Sequence, residues 1–183
     1  ASLPSLDPNQ PGAIDEDLRF NRVTQGVYEM GSTFKIFTTA MAFNAGTVTM
    51  QSGYDATHPI QIARFTIRDF RAKKRWLSIP EIFMYSSNIG SVKMALDVGI
   101  EGHQRFLSQL GMLKPLSVEL LETGAPLSPN RWREINSMTI SYGHGLAVSP
   151  LHLVAGVAAI VNGGIYRSPT LVRHELGNYV VGK

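Results

Sequence analysis

The chain has 183 residues, of which 44% are hydrophobic and 17% charged, with a net charge of +3 and no cysteine. That length and balance suit one globular domain or a large part of one, and they exclude a disordered chain, a disulfide framework and a thiolate metal site. The longest apolar run, residues 151–161 with His152 inside it, is too short to cross a bilayer. No signal peptide precedes Ala1, and the opening reads as a chain entered within a longer protein. Most of the positive excess lies in Arg64, Arg68, Arg71, Lys73, Lys74 and Arg75, which reads as a solvated basic loop rather than a nucleic-acid groove.

Residues 4–13, rich in Pro, Asp, Asn and Gly, predict a loop. A helix is expected from Ser32 onward, apolar nearly all round and therefore buried on most sides, with Gly46 placed to stop it. Residues 47–69 are irregular and strand-prone, with alternation around Ile60, Ile62, Phe65 and Ile67. Ser78-Ile79-Pro80-Glu81 is a capping box with proline in the first turn and predicts a short helix to about Tyr85. After Ser86-Ser87-Asn88 a second helix should run from Ile89 to Gly99, and a third from Gly102 to Leu110, stopped by Gly111. Residues 113–131 carry three prolines and predict an extended loop. Residues 137–142 read as a short strand followed by a Gly143-His144-Gly145 turn. Ser149-Pro150 opens a helix through Ile160 that ends at Asn162-Gly163-Gly164, and residues 165–172 read as a strand. No repeat or interdomain linker interrupts this order.

The chemistry concentrates at Gly31-Ser32-Thr33-Phe34-Lys35. Positions i and i+3 share a helix face, so the Lys35 amine can fold back beside the Ser32 hydroxyl. Burial and the positive helix N-terminus both lower a lysine pKa and favour negative charge on a serine oxygen, so Lys35 is a candidate base for Ser32. A Ser-x-x-Lys spacing arises about once by chance in a chain this long. What singles this one out is the buried helix that it opens, because a lysine there must be paired, neutral or reaching a cleft. Ser86-Ser87-Asn88 has two readings, as a cap for the following helix or as polar groups exposed into a cleft.

Taken together, Ser-x-x-Lys on a buried helix and Ser-x-Asn between two later helices resemble the penicillin-recognising acyl-serine transferases. The stretch from Phe20-Asn21-Arg22-Val23-Thr24-Gln25-Gly26-Val27-Tyr28-Glu29 into the first motif is similar to class B penicillin-binding proteins. Arg75-Trp76-Leu77, Tyr85-Ser86-Ser87-Asn88-Ile89-Gly90, Tyr142-Gly143-His144-Gly145 and Asn162-Gly163-Gly164-Ile165-Tyr166-Arg167 resemble the septal, cell-division type in order and spacing. Two departures stand out. Met30 occupies the place where the family usually has proline, and the third motif, Lys-Thr-Gly or Lys-Ser-Gly, is not reached before Val180-Val181-Gly182-Lys183.

The resemblance implies an α/β (α+β) penicillin-binding-protein transpeptidase, or serine β-lactamase-like, fold. Residues 1–183 would form its helix-rich part on an incomplete antiparallel sheet, without the third-motif strands that supply one oxyanion-hole N–H. It further implies a peptidoglycan D,D-transpeptidase acting in septal wall synthesis and inhibited by β-lactams. Ser32 would be the nucleophile, Lys35 its base, Ser86 a proton shuttle and Asn88 a positioning group. No cofactor or metal is needed. The partners implied are the D-Ala-D-Ala stem peptide, β-lactams and cell-division proteins. The location implied is the periplasmic face of the inner membrane, through an anchor absent from this chain. A related D,D-carboxypeptidase or β-lactamase and a non-catalytic penicillin-binding-like module are the alternatives. Other enzyme classes fit less well: no Gly-x-Ser-x-Gly elbow surrounds Ser32, His174-Glu175 lacks a second histidine for zinc, and Gly143-His144-Gly145 lacks the third glycine of a dinucleotide fingerprint. His58, His103 and His152 read as surface or packing residues.

Overall fold

The computed structural model describes residues 15–173 together with residues 3, 7, 9 and 10. Most of the loop expected over 4–13, His174-Glu175 and the final Val180–Lys183 stretch lie outside the described residues. In chain order the elements are α1 (Glu16–Arg19), β1 (Tyr28–Glu29), a 3-10 turn (Gly31–Phe34), α2 (Lys35–Asn44), β2 (Gly53–Asp55), β3 (Ile60–Ile62), β4 (Phe65–Ile67) and β5 (Trp76–Ser78). There follow α3 (Ile79–Met84), α4 (Asn88–Gln109), α5 (Glu134–Ile140), β6 (Ala147–Val148) and α6 (Pro150–Val161). Among the described residues the strands form three separate antiparallel pairs, β1 with β6, β2 with β5 and β3 with β4. A Leu127–Ala147 bridge extends the first pair on its far side.

α2 is packed on two flanks. Phe34 and Phe37 join Leu107, Met112, Ile140, Leu146 and Val148 in one core cluster, while Ala42 joins Leu77, Ile79, Ile82, Ile89 and Met94 in a second. A helix with a core on both flanks must be apolar nearly all round, which is the pattern its sequence shows. Gly46 ends it with φ +70° as expected. Ser78 and Glu81 close a full capping box at the start of α3, and Ser149 caps α6 with His152 returning to the Ser149 N–H.

Two expected strands are not strands. Residues 137–142 belong mostly to α5, in which Ser137, Met138 and Ile140 are buried. The hydroxyls of Thr139 and Ser141 donate to the Asn136 and Met138 carbonyls within the helix, so packing against α4 overrides the β-leaning composition. Residues 165–172 form no ladder among the described residues. Their polar groups are met by side chains instead: the Ile165 N–H by Asn162, and Thr170 Oγ1 and the Leu171 N–H by Glu119. The two helices expected over 89–110 are both present within α4, joined directly at Gly99, where the backbone leaves the helical region at φ +79° and ψ 167°.

His103 shows what the α4–α5 contact costs in acid. Its Nδ1 lies 2.8 Å from Ser137 Oγ, and its ring meets Trp132 edge-on at 5.5 Å. Burial holds its pKa down to about 4. In the unfolded chain an ordinary histidine titrates near pH 6.5, so the unfolded state takes up the proton first. The stability that neutral His103 preserves is present above about pH 6.5 and drains as pH falls towards about 4, by about 3 kcal/mol in all. Urea unfolding at pH 7 and pH 4.5 of the unmutated protein and of His103→Asn checks this. The variant should lose much less stability between the two pH values; an equal loss in both proteins would put the acid sensitivity elsewhere.

Candidate active site

The 3-10 turn delivers Ser32 to the surface and Lys35 to the interior one turn later. Ser32 is exposed, whereas Lys35 retains 3% of its accessible surface. The Lys35 Nζ lies 3.2 Å from Ser32 Oγ, 2.8 Å from Ser86 Oγ, 2.5 Å from the Ser86 carbonyl and 2.7 Å from Asn88 Oδ1. All four residues singled out from the sequence thus meet around one amine, across sequence separations of 51 and 53 residues.

The donors and acceptors around that amine are not equivalent. The Ser86 carbonyl can only accept. Asn88 Nδ2 donates to the Arg68 carbonyl at 2.8 Å, which turns Asn88 Oδ1 toward Lys35 as a second pure acceptor. A neutral amine has two N–H donors, and these two acceptors use both. Its lone pair is then left for a hydroxyl proton, and the Ser32 and Ser86 hydroxyls are the groups in reach. Burial pushes the Lys35 pKa down to about 8, against an opposing pull from the negative charge of Asp69. Burial, one of the two causes expected from the sequence, is the larger of the causes acting here. At pH 7 roughly a tenth of such a lysine is neutral, enough for it to serve as a base.

The Ser86-Ser87-Asn88 junction satisfies both of its readings at once. Ser87, 1% exposed, caps α4 by accepting from the Gly90 N–H at 3.0 Å, while its neighbours on either side face Lys35. The chain gets there by an unusual turn. The Ser86 N–H donates to Phe83 O and the Ser87 N–H to Ile82 O, a Schellman ending for α3 in which the left-handed position, φ +55°, is held by serine rather than glycine.

A second loop fixes the start of the 3-10 turn. The Gly31 N–H donates to the Gly143 carbonyl at 3.1 Å, and Thr38 Oγ1 donates to the Ser141 carbonyl at 2.7 Å. Glu29 accepts from the Gly145 N–H at 2.7 Å and pairs with His144 Nδ1 at 3.0 Å. The His144 hydrogen bond, followed by that of Gly145, lowers the Glu29 pKa. The basic residues Arg64, Arg68, Arg71, Lys73, Lys74 and Arg75 are all exposed, as a solvated loop requires; Lys73 lies 4.4 Å over the Tyr85 ring.

Residues 1–180 match the family model described as the penicillin binding protein transpeptidase domain. The chain belongs to the penicillin-binding protein transpeptidase family. Among relatives of this transpeptidase family, the probable peptidoglycan D,D-transpeptidase FtsI of Caulobacter vibrioides is 41% identical over 93% of this chain and 29% of that protein. The peptidoglycan D,D-transpeptidase FtsI of Escherichia coli K12 is 31% identical over 94% of this chain and 29% of its own length. The apo transpeptidase domain of Burkholderia pseudomallei penicillin-binding protein 3 superposes with a TM-score of 0.81 at 28% identity, covering 86% of this chain and 48% of that one. The chain therefore spans about three tenths of the length of these curated relatives. The transpeptidase fold expected from the resemblance is the one observed, with its antiparallel strands present as short separate pairs. Among the described residues no helix is long and apolar enough to cross a membrane.

One residue of the site escaped the sequence reading. Asp69 follows β4, its carboxylate accepts from Ser87 Oγ and the Ile89 N–H, and its charge opposes the effect of burial on Lys35. A single aspartate after a strand carries no local signal of a contact made 18 and 20 residues further on.

Proposed function

We propose that this chain is the helix-rich part of a peptidoglycan D,D-transpeptidase domain in which Ser32 is the acylated nucleophile. The observation that carries this is an exposed serine hydroxyl 3.2 Å from a buried amine whose two N–H donors are already committed to pure acceptors. Ser32 Oγ attacks the penultimate D-Ala carbonyl of a stem peptide and passes its proton to Lys35. The tetrahedral adduct collapses by expelling the terminal D-Ala amine, which takes a proton through the Ser86 hydroxyl. An amine of a second stem peptide then displaces the acyl group from Ser32 and forms the cross-link. A β-lactam carbonyl enters the same path, but its leaving nitrogen stays tethered to the acyl group. The names of the FtsI relatives support peptidoglycan cross-linking; a septal role at the periplasmic face, with an anchor and division partners in a longer protein, is the reading that the sequence resemblance adds. Coverage of 48% of the Burkholderia pseudomallei transpeptidase-domain chain supports the reading that a third-motif strand lies outside residues 1–183.

Intact-mass measurement after incubation with benzylpenicillin tests this directly. The protein should gain the mass of one whole β-lactam, and Ser32→Ala should gain none while keeping its circular dichroism spectrum. An adduct that persists in the variant, or maps to another serine, overturns the assignment.

Ser86 supplies a further expectation. Its left-handed backbone costs a side-chain-bearing residue about 1 kcal/mol that glycine avoids, so Ser86→Gly should fold with equal or greater stability, by up to about 1 kcal/mol. The same change removes the hydroxyl shuttle and should slow acylation about a hundredfold. Thermal melts and stopped-flow acylation rates separate the two effects. A variant that loses stability and keeps its rate would mean that the serine is there for the turn and not for the chemistry.

A further inference from the structure

Three consecutive residues, Ser87 and Asn88 of the Ser-x-Asn junction and Ile89 after it, are held by two consecutive residues after β4. Asn88 Nδ2 donates to the Arg68 carbonyl at 2.8 Å. The Asp69 carboxylate accepts from Ser87 Oγ at 2.8 Å with one oxygen and from the Ile89 N–H at 3.0 Å with the other. Ser87 in turn accepts from the Gly90 N–H and, through its carbonyl, from Ser91 Oγ. A carboxylate at the first N–H groups of a long helix is a favourable placement in itself. What sets this one apart is that the residues it grips are the neighbours of Ser86 and Asn88, whose oxygens surround Lys35.

We propose that Asp69 is a positioning residue of this site, clamping the Ser86-Ser87-Asn88 junction against Lys35. The proposal rests on the reading of Lys35 as the base of Ser32. Two roles follow from one carboxylate. Its hydrogen bonds keep Ser86 in a left-handed turn that the residue would not choose alone, and so keep the Ser86 and Asn88 oxygens on the amine. Its negative charge offsets part of the effect of burial on Lys35, leaving its pKa higher than burial alone would. The ionisable groups on the surrounding elements do not share this second role. Glu81 of α3 is engaged by Arg75, Lys93 and Asp97 of α4 by Asp55 and Tyr54, and His152 of α6 by Ser149 and Lys114. Asp69 is the charged group whose field opposes the effect of burial on Lys35.

The test titrates Lys35 in the protein labelled with lysine carbon-13 at Cε, read by NMR between pH 5 and pH 10. Asp69→Asn keeps the shape and can still accept from the Ile89 N–H while donating to Ser87 Oγ, so it removes the charge with least disturbance. Ser87→Ala keeps the charge and removes one arm of the clamp. Asp69→Asn should lower the Lys35 midpoint by about half a pH unit or more, and the acidic limb of the β-lactam acylation profile should move with it. Ser87→Ala should leave the midpoint in place and lower the plateau rate about tenfold. Should Asp69→Asn not fold, Asp69→Ser removes the charge while retaining an acceptor hydroxyl. A Lys35 midpoint that stays where it is in the uncharged variant overturns the proposal, as does a Ser87→Ala midpoint that moves equally far. The titration needs no acylation, so a protein that took up no β-lactam would refute the functional reading separately.

Discussion

Lys35→Arg should lose acylation by about a thousandfold or more while remaining folded. The four oxygens around the Lys35 amine would still face a cation, so an argument from charge alone predicts a mild effect. The argument from protons predicts a severe one. A guanidinium does not deprotonate in a protein and has no lone pair to offer, so Ser32 would face a group able only to donate. Its planar fork is also wider than an ammonium in a space that leaves Lys35 only 3% exposed. Raising the pH distinguishes the causes. The unmutated protein should acylate faster as pH rises through about 8, where Lys35 loses its proton, and about tenfold more slowly for each pH unit below that. The variant should show no such limb between pH 6 and pH 10. A rate within a few-fold of the unmutated protein would remove Lys35 from the role of base.

How much of this was legible in the chain depends on how far apart the interacting residues lie. Ser32 and Lys35 are three apart on a helical face, and their proximity follows from helix geometry alone. Ser78 with Glu81 and Ser149 with Pro150 mark helix starts by local chemistry, and Gly46, Gly99 and Gly111 sit where positive φ is needed. The meeting of Lys35 with Ser86 and Asn88 has no local signature, and only resemblance to a family placed those residues in one cleft. Asp69 had neither a spacing nor a motif to mark it. The strand expected at 137–142 went wrong because β-branched residues state a preference, whereas burial of Ser137, Met138 and Ile140 on a helical face decides the outcome. For 165–172 the composition was compatible with a strand, but a strand exists only beside another, and sequence alone does not say what lies alongside.

The other large effect is expected at Gly143, where glycine is required twice over. Its φ is +89°, a conformation that side chains resist, and a Cβ built there would lie 1.9 Å from the Gly31 carbonyl oxygen and 2.6 Å from Gly31 Cα. Those atoms are backbone, one residue before Ser32, and cannot swing aside as a side-chain tip can. Gly143→Ala must therefore push the turn off the start of the 3-10 helix, breaking the Gly31 N–H to Gly143 O bond and moving Ser32 relative to Lys35. The expected cost is about 3 kcal/mol or more, or a fall of roughly 6–12 °C in melting temperature for a domain of this size. Acylation of the surviving folded protein should fall about a hundredfold, since displacements near 1 Å at reacting groups have effects of that order. Gly163→Ala is the control. Its φ of +90° is the same, but nothing lies within 4 Å of the added Cβ, so it isolates conformational strain of about 1 kcal/mol. If both variants lost the same stability and Gly143→Ala acylated normally, the contact with Gly31 would not be what sets Ser32 in place.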